Sequence, residues 1–348
     1  MSGLKTLYLT ILLLLTVSAL TAQKVQEQYA VMTYNVENLF DTKDDPLTND
    51  EEFTPKGDYH WTYYRLRKKL GQIARVIATS NSWNPPAIVA LCEVENDDVL
   101  RNLVYGSPLK NLRYNFIHFD SPDPRGIDVA LLYRKDHFTP INARAIAASD
   151  TARERRTRDI LYVSGIIASD TLHIFVCHFP SRLGGEAASE PRRIETAYRL
   201  RATVDSVFST NARAKIIIMG DFNDYPYNRS ISEILKAQAP HSSPQDGELY
   251  DLCAPLQHAD TIGSHKFQNQ WGMLDHIIVS GSLLNSQTLL TTQADNIRIF
   301  SPDWLLEGDD VHSRKPKRTF LGQSYHGGYS DHLPVLLEIL NNVKQQIP

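Results

Sequence analysis

The chain has 348 residues, 42% of them hydrophobic and 22% charged, and a formal net charge of −4. This is an ordinary globular composition with enough chain for one large domain or two small ones. The mild acidity excludes a broadly basic nucleic-acid coat, so any polyanion would have to be held in a local groove.

Residues Met1 to Lys5 lead into an apolar stretch, Leu7 to Leu20, that closes on Thr21-Ala22-Gln23. A short positive segment, a hydrophobic segment and a small residue predict a signal peptide over 1–22 and an exported protein, periplasmic or secreted. Leu20 is larger than a cleavage site favours two residues before Ala22, which leaves an uncleaved anchor open. No later segment is long and apolar enough to span a bilayer.

After the leader, apolar runs of strand length recur: Tyr29 to Asn35, Ala87 to Cys92, Asp128 to Tyr133, Leu161 to Ala168, Leu172 to His178, Lys215 to Gly220, His276 to Ser280 and Leu333 to Ile339. Their density in Val, Ile, Leu and Tyr predicts strands buried on both faces. Helical periodicity falls between them, over Tyr64 to Thr79, Asp98 to Val104 and Arg192 to Phe208. The few residues around Ser169-Asp170-Thr171 can join two strands only as an antiparallel pair, so the sheets are mixed. The expectation is an α/β protein of two packed mixed sheets flanked by helices, as one domain over residues 28–348 and as a monomer. Three cysteines, Cys92, Cys177 and Cys253, are too few for a disulfide scaffold and too far apart for a zinc site, and read as buried strand residues. Two long loops remain, Phe40 to Tyr59 and Ser301 to Tyr329, the second with Trp304-Leu305-Leu306 and a basic run, Arg314 to Arg318.

The strand runs end in polar residues: Asn35, Glu93, His178, Asp221 with Asn223, Asp275, and Asp331 with His332. One carboxylate at a strand end is more often a turn or cap, but several at the same edge of layered sheets form a site. Oxygen donors from Asn35, Glu93 and Asp331 suit a hard cation, Mg2+ or Mn2+, with Ca2+ a further candidate. In Gly220-Asp221-Phe222-Asn223 a glycine ends the strand and sets two polar side chains on one side; the alternative is an Asx turn. His332 with Asp275, and His178 with Asp128, read as carboxylate-oriented histidines that each manage one proton, although a lone histidine is more often a structural hydrogen-bonding group. Arg158, in Arg153-Glu-Arg-Arg-Thr-Arg158, is a candidate phosphate clamp in a run that would otherwise read as a solvated face.

With Tyr34-Asn35-Val36-Glu37-Asn38, Gly220-Asp221-Phe222-Asn223 and Ser330-Asp331-His332-Leu333-Pro334 in the same order, the chain resembles the endonuclease/exonuclease/phosphatase superfamily. That group includes pancreatic-type deoxyribonuclease, abasic-site endonucleases, neutral sphingomyelinases and inositol polyphosphate 5-phosphatases. The resemblance implies a DNase I-like four-layer α/β sandwich and Mg2+-dependent in-line attack of water on a phosphoester. It further implies Glu93 as main metal ligand supported by Asn35 and Asp331, Asp221 as the group that orients or deprotonates the water, and Asn223 as a donor to the phosphate. His332, oriented by Asp275, would stabilise charge on the phosphate. A histidine at position 178, where abasic-site endonucleases carry tyrosine, points toward the deoxyribonuclease and sphingomyelinase branches. The leading expectation is an exported phosphodiesterase cutting DNA or RNA without sequence preference. A phospholipid or inositol-phosphate hydrolase is the alternative, with Trp304-Leu305-Leu306 as a possible lipid-facing loop, and a catalytically dead binding protein is the reading from a different class.

Overall fold

The computed structural model of the chain describes residues 27–82, 84–149, 156–258, 262–310 and 313–342. The expected leader lies outside these residues. In chain order the elements are β1 (Glu27–Leu39), α1 (Tyr63–Thr79), β2 (Ile88–Val94), α2 (Asp97–Gly106), β3 (Tyr114–His118), β4 (Asp128–Arg134), β5 (Phe138–Ile146), β6 (Ile160–Ile167), β7 (Asp170–His178), α3 (Glu186–Thr210) and β8 (Lys215–Asp221). Shorter strands follow: β9 (Ala237–Gln238), β10 (Leu249–Asp251), β11 (His265–Phe267), β12 (Gln270–Gly272), β13 (Asp275–Ser280), β14 (Leu290–Thr291), β15 (Ile297–Ile299), β16 (Leu306–Glu307), β17 (Lys315–Pro316), β18 (Phe320–Leu321), β19 (Ser324–Tyr325) and β20 (Val335–Asn341).

The strands form two large mixed sheets. One runs β14-β20-β1-β2-β4-β3, with β15 beside β20, and its β1–β2 pair is parallel. The other runs β5-β6-β7-β8-β13-β10-β9, with β7–β8 and β10–β9 parallel. Side chains alternate across each strand. On β1, Val31 enters the space between the sheets while Met32 and Tyr34 face α1 and α2; on β8, Ile217 and Met219 point inward while Ile216 and Ile218 meet α3. Both faces are therefore buried, which is why the strands read as unbroken apolar runs. The result is the four-layer sandwich expected from sequence.

The helices are amphipathic ribbons on the outside. Leu66, Leu70, Ile73 and Ile77 of α1 are buried at the 3–4 spacing of one helical face, and Thr62 caps the helix by accepting from the Arg65 N–H. Burying each such side chain contributes about 1.5–3 kcal/mol. Helix α3 starts at Glu186 rather than Arg192 and carries Pro191 in its second turn. Strand β5 escaped the sequence pattern because it is a sheet edge with Thr139, Asn142 and Arg144 exposed and an irregularity after Pro140.

Both long loops are packed. In the first, Phe53 stacks between Phe40 and Tyr59, with ring centroids 4.2 and 4.5 Å apart, and the Trp61 indole donates to the Phe40 carbonyl at 2.9 Å. In the second, Leu305 is buried and Trp304 packs on Tyr329 beneath the Arg75 guanidinium. The proposed lipid-facing loop is thus part of the outer helical layer. All three cysteines are free and buried.

Candidate active site

Strand register assembles the site. His178 on β7 and Asp275 on β13 lie directly beside Asp221 on β8, and Asn35 on β1 lies beside Cys92, one residue before Glu93. Each sheet thus delivers its polar strand ends to one edge, and the turn before β20 adds Asp331 and His332. Gly220 makes this possible. Its φ is +142°, and a Cβ there would sit 1.8 Å from the Cys177 carbonyl oxygen, so only glycine lets β8 approach β7 this closely. Glu37, Asn38, Glu93 and Asn223 all hold left-handed backbone angles, with φ of 52°, 55°, 65° and 49°. Such conformations cost on the order of 1 kcal/mol or more each, and their clustering here is characteristic of functional sites.

Asp221 is the centre. Its Oδ2 accepts from the Asn35 amide at 3.0 Å and lies 3.7 Å from His178 Nε2 and 3.8 Å from His332 Nε2, while Oδ1 accepts from the Asn223 N–H at 2.8 Å. Asn35 also donates to Glu93 at 3.2 Å, and Glu93 accepts from the Asn38 N–H at 2.9 Å. His332 Nδ1 is 2.6 Å from Asp275 Oδ2, and its backbone N–H donates to Ser330 Oγ.

Burial sets the protonation states. It pushes the Asp221 carboxyl up to about 7, against the pull of His332. For His332, burial alone would favour the neutral ring, but Asp275 and Asp221 together hold its proton well above the usual histidine range. His178 goes the other way: burial, then Arg158 and Arg125, keep it far below that range and neutral, and its Nδ1 has no partner. One carboxylate near neutrality thus stands between a neutral imidazole and an imidazolium.

Glu93 and Asp331 keep part of their side chains open to solvent, and their oxygens suit a hard divalent ion rather than zinc. Glu37, absent from the sequence-based set, belongs with them: it is buried and shares the Arg318 guanidinium with Asp331, at 3.2 and 3.0 Å. The buried Lys69 ammonium, lowered to about 8 by burial, lies within electrostatic reach of Glu37, Asp331 and Glu93 and is held by Thr319 and the Tyr329 carbonyl. Asn35 departs from expectation. Its amide N–H faces the two carboxylates and its Oδ1 accepts from the Glu37 N–H, so the amide would turn over to act as a ligand. Glu93, Asp331 and Glu37 supply the oxygen donors such an ion takes, while two of the tight clusters among the described residues join Asp331 to His265 and His332, and Asp221 to Asp275 and His332.

Other assignments change. Asp128 does not orient His178; it binds His118 Nε2 at 3.2 Å and Ser121. The cause is topological, since β4 lies beside β2 and β3 in the other sheet from β7. Arg158 forms a buried ion pair with Asp123 at 3.0 Å and donates to the Phe179 carbonyl at 2.9 Å. Asn223 donates one amide hydrogen to the same carbonyl at 3.1 Å, which leaves its second for a phosphate. Sequence reading also missed His265, whose ring packs 4.7 Å from that of His332.

Three solved structures illustrate the likeness of fold. Zebrafish TDP2 complexed with a single-strand DNA product is 13% identical, with a TM-score of 0.53 over 90% of this chain and 99% of that one. The human Nocturnin catalytic domain with bound sulfate is 16% identical, with a TM-score of 0.52 over 90% and 97%. A Bacteroides thetaiotaomicron mannosyl-6-phosphatase is 15% identical, with a TM-score of 0.53 over 89% and 99%. No curated protein matches the chain by sequence. At these identities the neighbours show the fold alone. The model of the endonuclease/exonuclease/phosphatase family matches residues 30–341, from β1 to the last residue of β20, and the chain belongs to that family of phosphoester hydrolases.

Proposed function

We propose that this chain is an exported, divalent-metal-dependent phosphodiesterase that cuts nucleic acid as an endonuclease. The observation that carries the chemistry is the pair of histidines flanking Asp221, one neutral and one protonated. Asp221, poised near neutrality, takes a proton from an attacking water. His332, fixed by Asp275, offers its Nε2–H to a phosphoryl oxygen as negative charge grows there. Asn223 adds an amide donor, and neutral His178 accepts or donates one hydrogen bond beside Glu93 without adding charge. Glu93 and Asp331, supported by Glu37, would hold Mg2+ or Mn2+, which when bound supplies Lewis-acid polarisation of the phosphoryl group.

The DNA product in the TDP2 neighbour supports nucleic acid as substrate class, while the buried Leu305 and packed Trp304 remove the feature that favoured a lipid surface. The test is hydrolysis of plasmid DNA by the protein lacking its leader, with Mg2+, with EDTA, and with Asp221→Ala in parallel. Nicking that needs both the metal and Asp221 is expected. Intact plasmid in all three would refute the nuclease reading and direct attention to small phosphoesters.

A further inference from the structure

An open cavity of about 230 Å3 lies beside the candidate site, lined by Asp123, Arg125, Arg156, Thr157, Arg158 and Arg192 together with Pro124, Pro180 and Ser181. Among the described residues the lining holds four guanidinium groups and one carboxylate. Asp123 offsets Arg158, and Arg125 donates to the neutral Asn38 amide oxygen at 3.1 Å, so Arg125 and Arg156 give this described lining a net positive charge. Two donors of this lining are buried and have no partner: Arg158 Nε and Thr157 Oγ1, in side chains less than a tenth exposed. A buried polar group without a partner costs about 1–3 kcal/mol, so two at one cavity indicate a missing acceptor.

The cavity is tied to the catalytic residues by short links. Arg158 and the proposed phosphate donor Asn223 share the Phe179 carbonyl, and Arg125 reaches Asn38, whose N–H holds Glu93. Taking the hydrolase reading above as its basis, we propose that this arginine cavity is a subsite for a second phosphate of the substrate, next to the phosphate that is hydrolysed. Planar guanidinium groups match phosphate oxygens in pairs, and the orphaned Arg158 Nε–H and Thr157 hydroxyl complete the cradle. The second phosphate belongs either to the neighbouring unit of a nucleic-acid strand or to a small bisphosphate.

Without metal the carboxylates of Glu37, Glu93 and Asp331 weaken anion binding at the catalytic centre, so binding of inorganic phosphate or pyrophosphate in EDTA that is lost in cavity variants reports on the cavity. Titration calorimetry should show one anion site, weakened about tenfold or more in Arg156→Ala, whose side chain is exposed, and in Thr157→Val. Thr157→Val removes an orphaned hydroxyl, so the free protein should melt no lower than wild type while losing the phosphate-induced rise in Tm. Absence of binding in EDTA, or undiminished binding in both variants, overturns the subsite.

Kinetics then identify the source of the phosphate. With Mg2+, kcat/KM is compared for a dinucleotide with and without an additional terminal phosphate, and for a hexose bisphosphate against its monophosphate. A preference of about tenfold or more in the first pair, reduced by Arg156→Ala and reduced less by Arg156→Lys, which keeps the charge without the fork, assigns the subsite to nucleic acid; in the second pair it assigns a small bisphosphate. Preference in neither overturns the proposal. If wild type hydrolyses none of the four while still binding phosphate in EDTA, the hydrolase reading fails and the anion site stands.

Discussion

His178 and His332 sit on opposite sides of Asp221 at nearly the same distance, 3.7 and 3.8 Å, and both are buried, yet one is neutral and the other charged. Burial disfavours the proton on both rings, and the neighbouring charges decide whether that penalty is overcome. Asp275 closes on His332 at 2.6 Å, whereas His178 has an unpartnered Nδ1 and the charges of Arg158 and Arg125 nearby. A histidine's role is therefore assigned by its far side. The imidazolium can stabilise a developing anion; the neutral ring positions what is already there.

Removing the carboxylate between them should have the largest effect. Asp221→Asn is expected to lower kcat on the order of 10³-fold or more with an unchanged Tm. Asp275→Asn strips His332 of its partner and should cost about 10²-fold. It should also shift the pH profile. In wild type, activity rises as Asp221 loses its proton around pH 7 and falls when His332 deprotonates, well above the ordinary histidine range; in Asp275→Asn the falling limb moves toward neutrality while the rising limb stays. His178→Gln exchanges one neutral hydrogen-bonding group for another and should cost only about tenfold. An equal loss in His178→Gln and Asp275→Asn would erase the distinction between the two rings.

How much of this is legible in the sequence follows from the same geometry. The eight long strand runs are readable because burial on both faces makes each continuously apolar, and their polar ends mark the site because several of them recur together, where any one alone would read as a turn or cap. Partnership is not readable. Asp128 looked like the orienter of His178, but the β3–β4 register pairs His118 with Ala130, two residues from Asp128, so the imidazole reaches Asp128 from the adjacent strand, whereas His178 lies in the other sheet. Glu37 stood inside the motif containing Asn35, yet its role depends on Arg318 and Thr319, which lie some 280 positions further along the chain. Arg318 in turn read as part of a basic surface run.

The smallest effect concerns that displaced partnership. His118 carries a carboxylate on each ring nitrogen, Asp97 at 3.1 Å and Asp128 at 3.2 Å; burial opposes the charge, but the two acids hold its proton above the usual range. A histidine raised on folding stabilises fully below its unfolded value near 6.5 and loses that contribution as pH climbs through the folded value. Urea unfolding should therefore show His118→Gln less stable than wild type by about 1 kcal/mol near pH 5, with the gap closing near pH 9. A gap that stays constant would show that His118 packs rather than titrates.

The placement of β1 has one more consequence. It lies between β2 and β20, and the Ser330 hydroxyl donates to the Asn35 carbonyl at 2.7 Å, across 295 positions of chain. During synthesis, the first strand waits with one edge unpaired until nearly the whole polypeptide has emerged. Loop closure on that scale slows folding and exposes an aggregation-prone edge in the interval. It also acts as a timer: Asn35, Glu93 and Asp221 are made before Asp331 and His332, so a nascent chain lacks the complete candidate site until its last strand arrives.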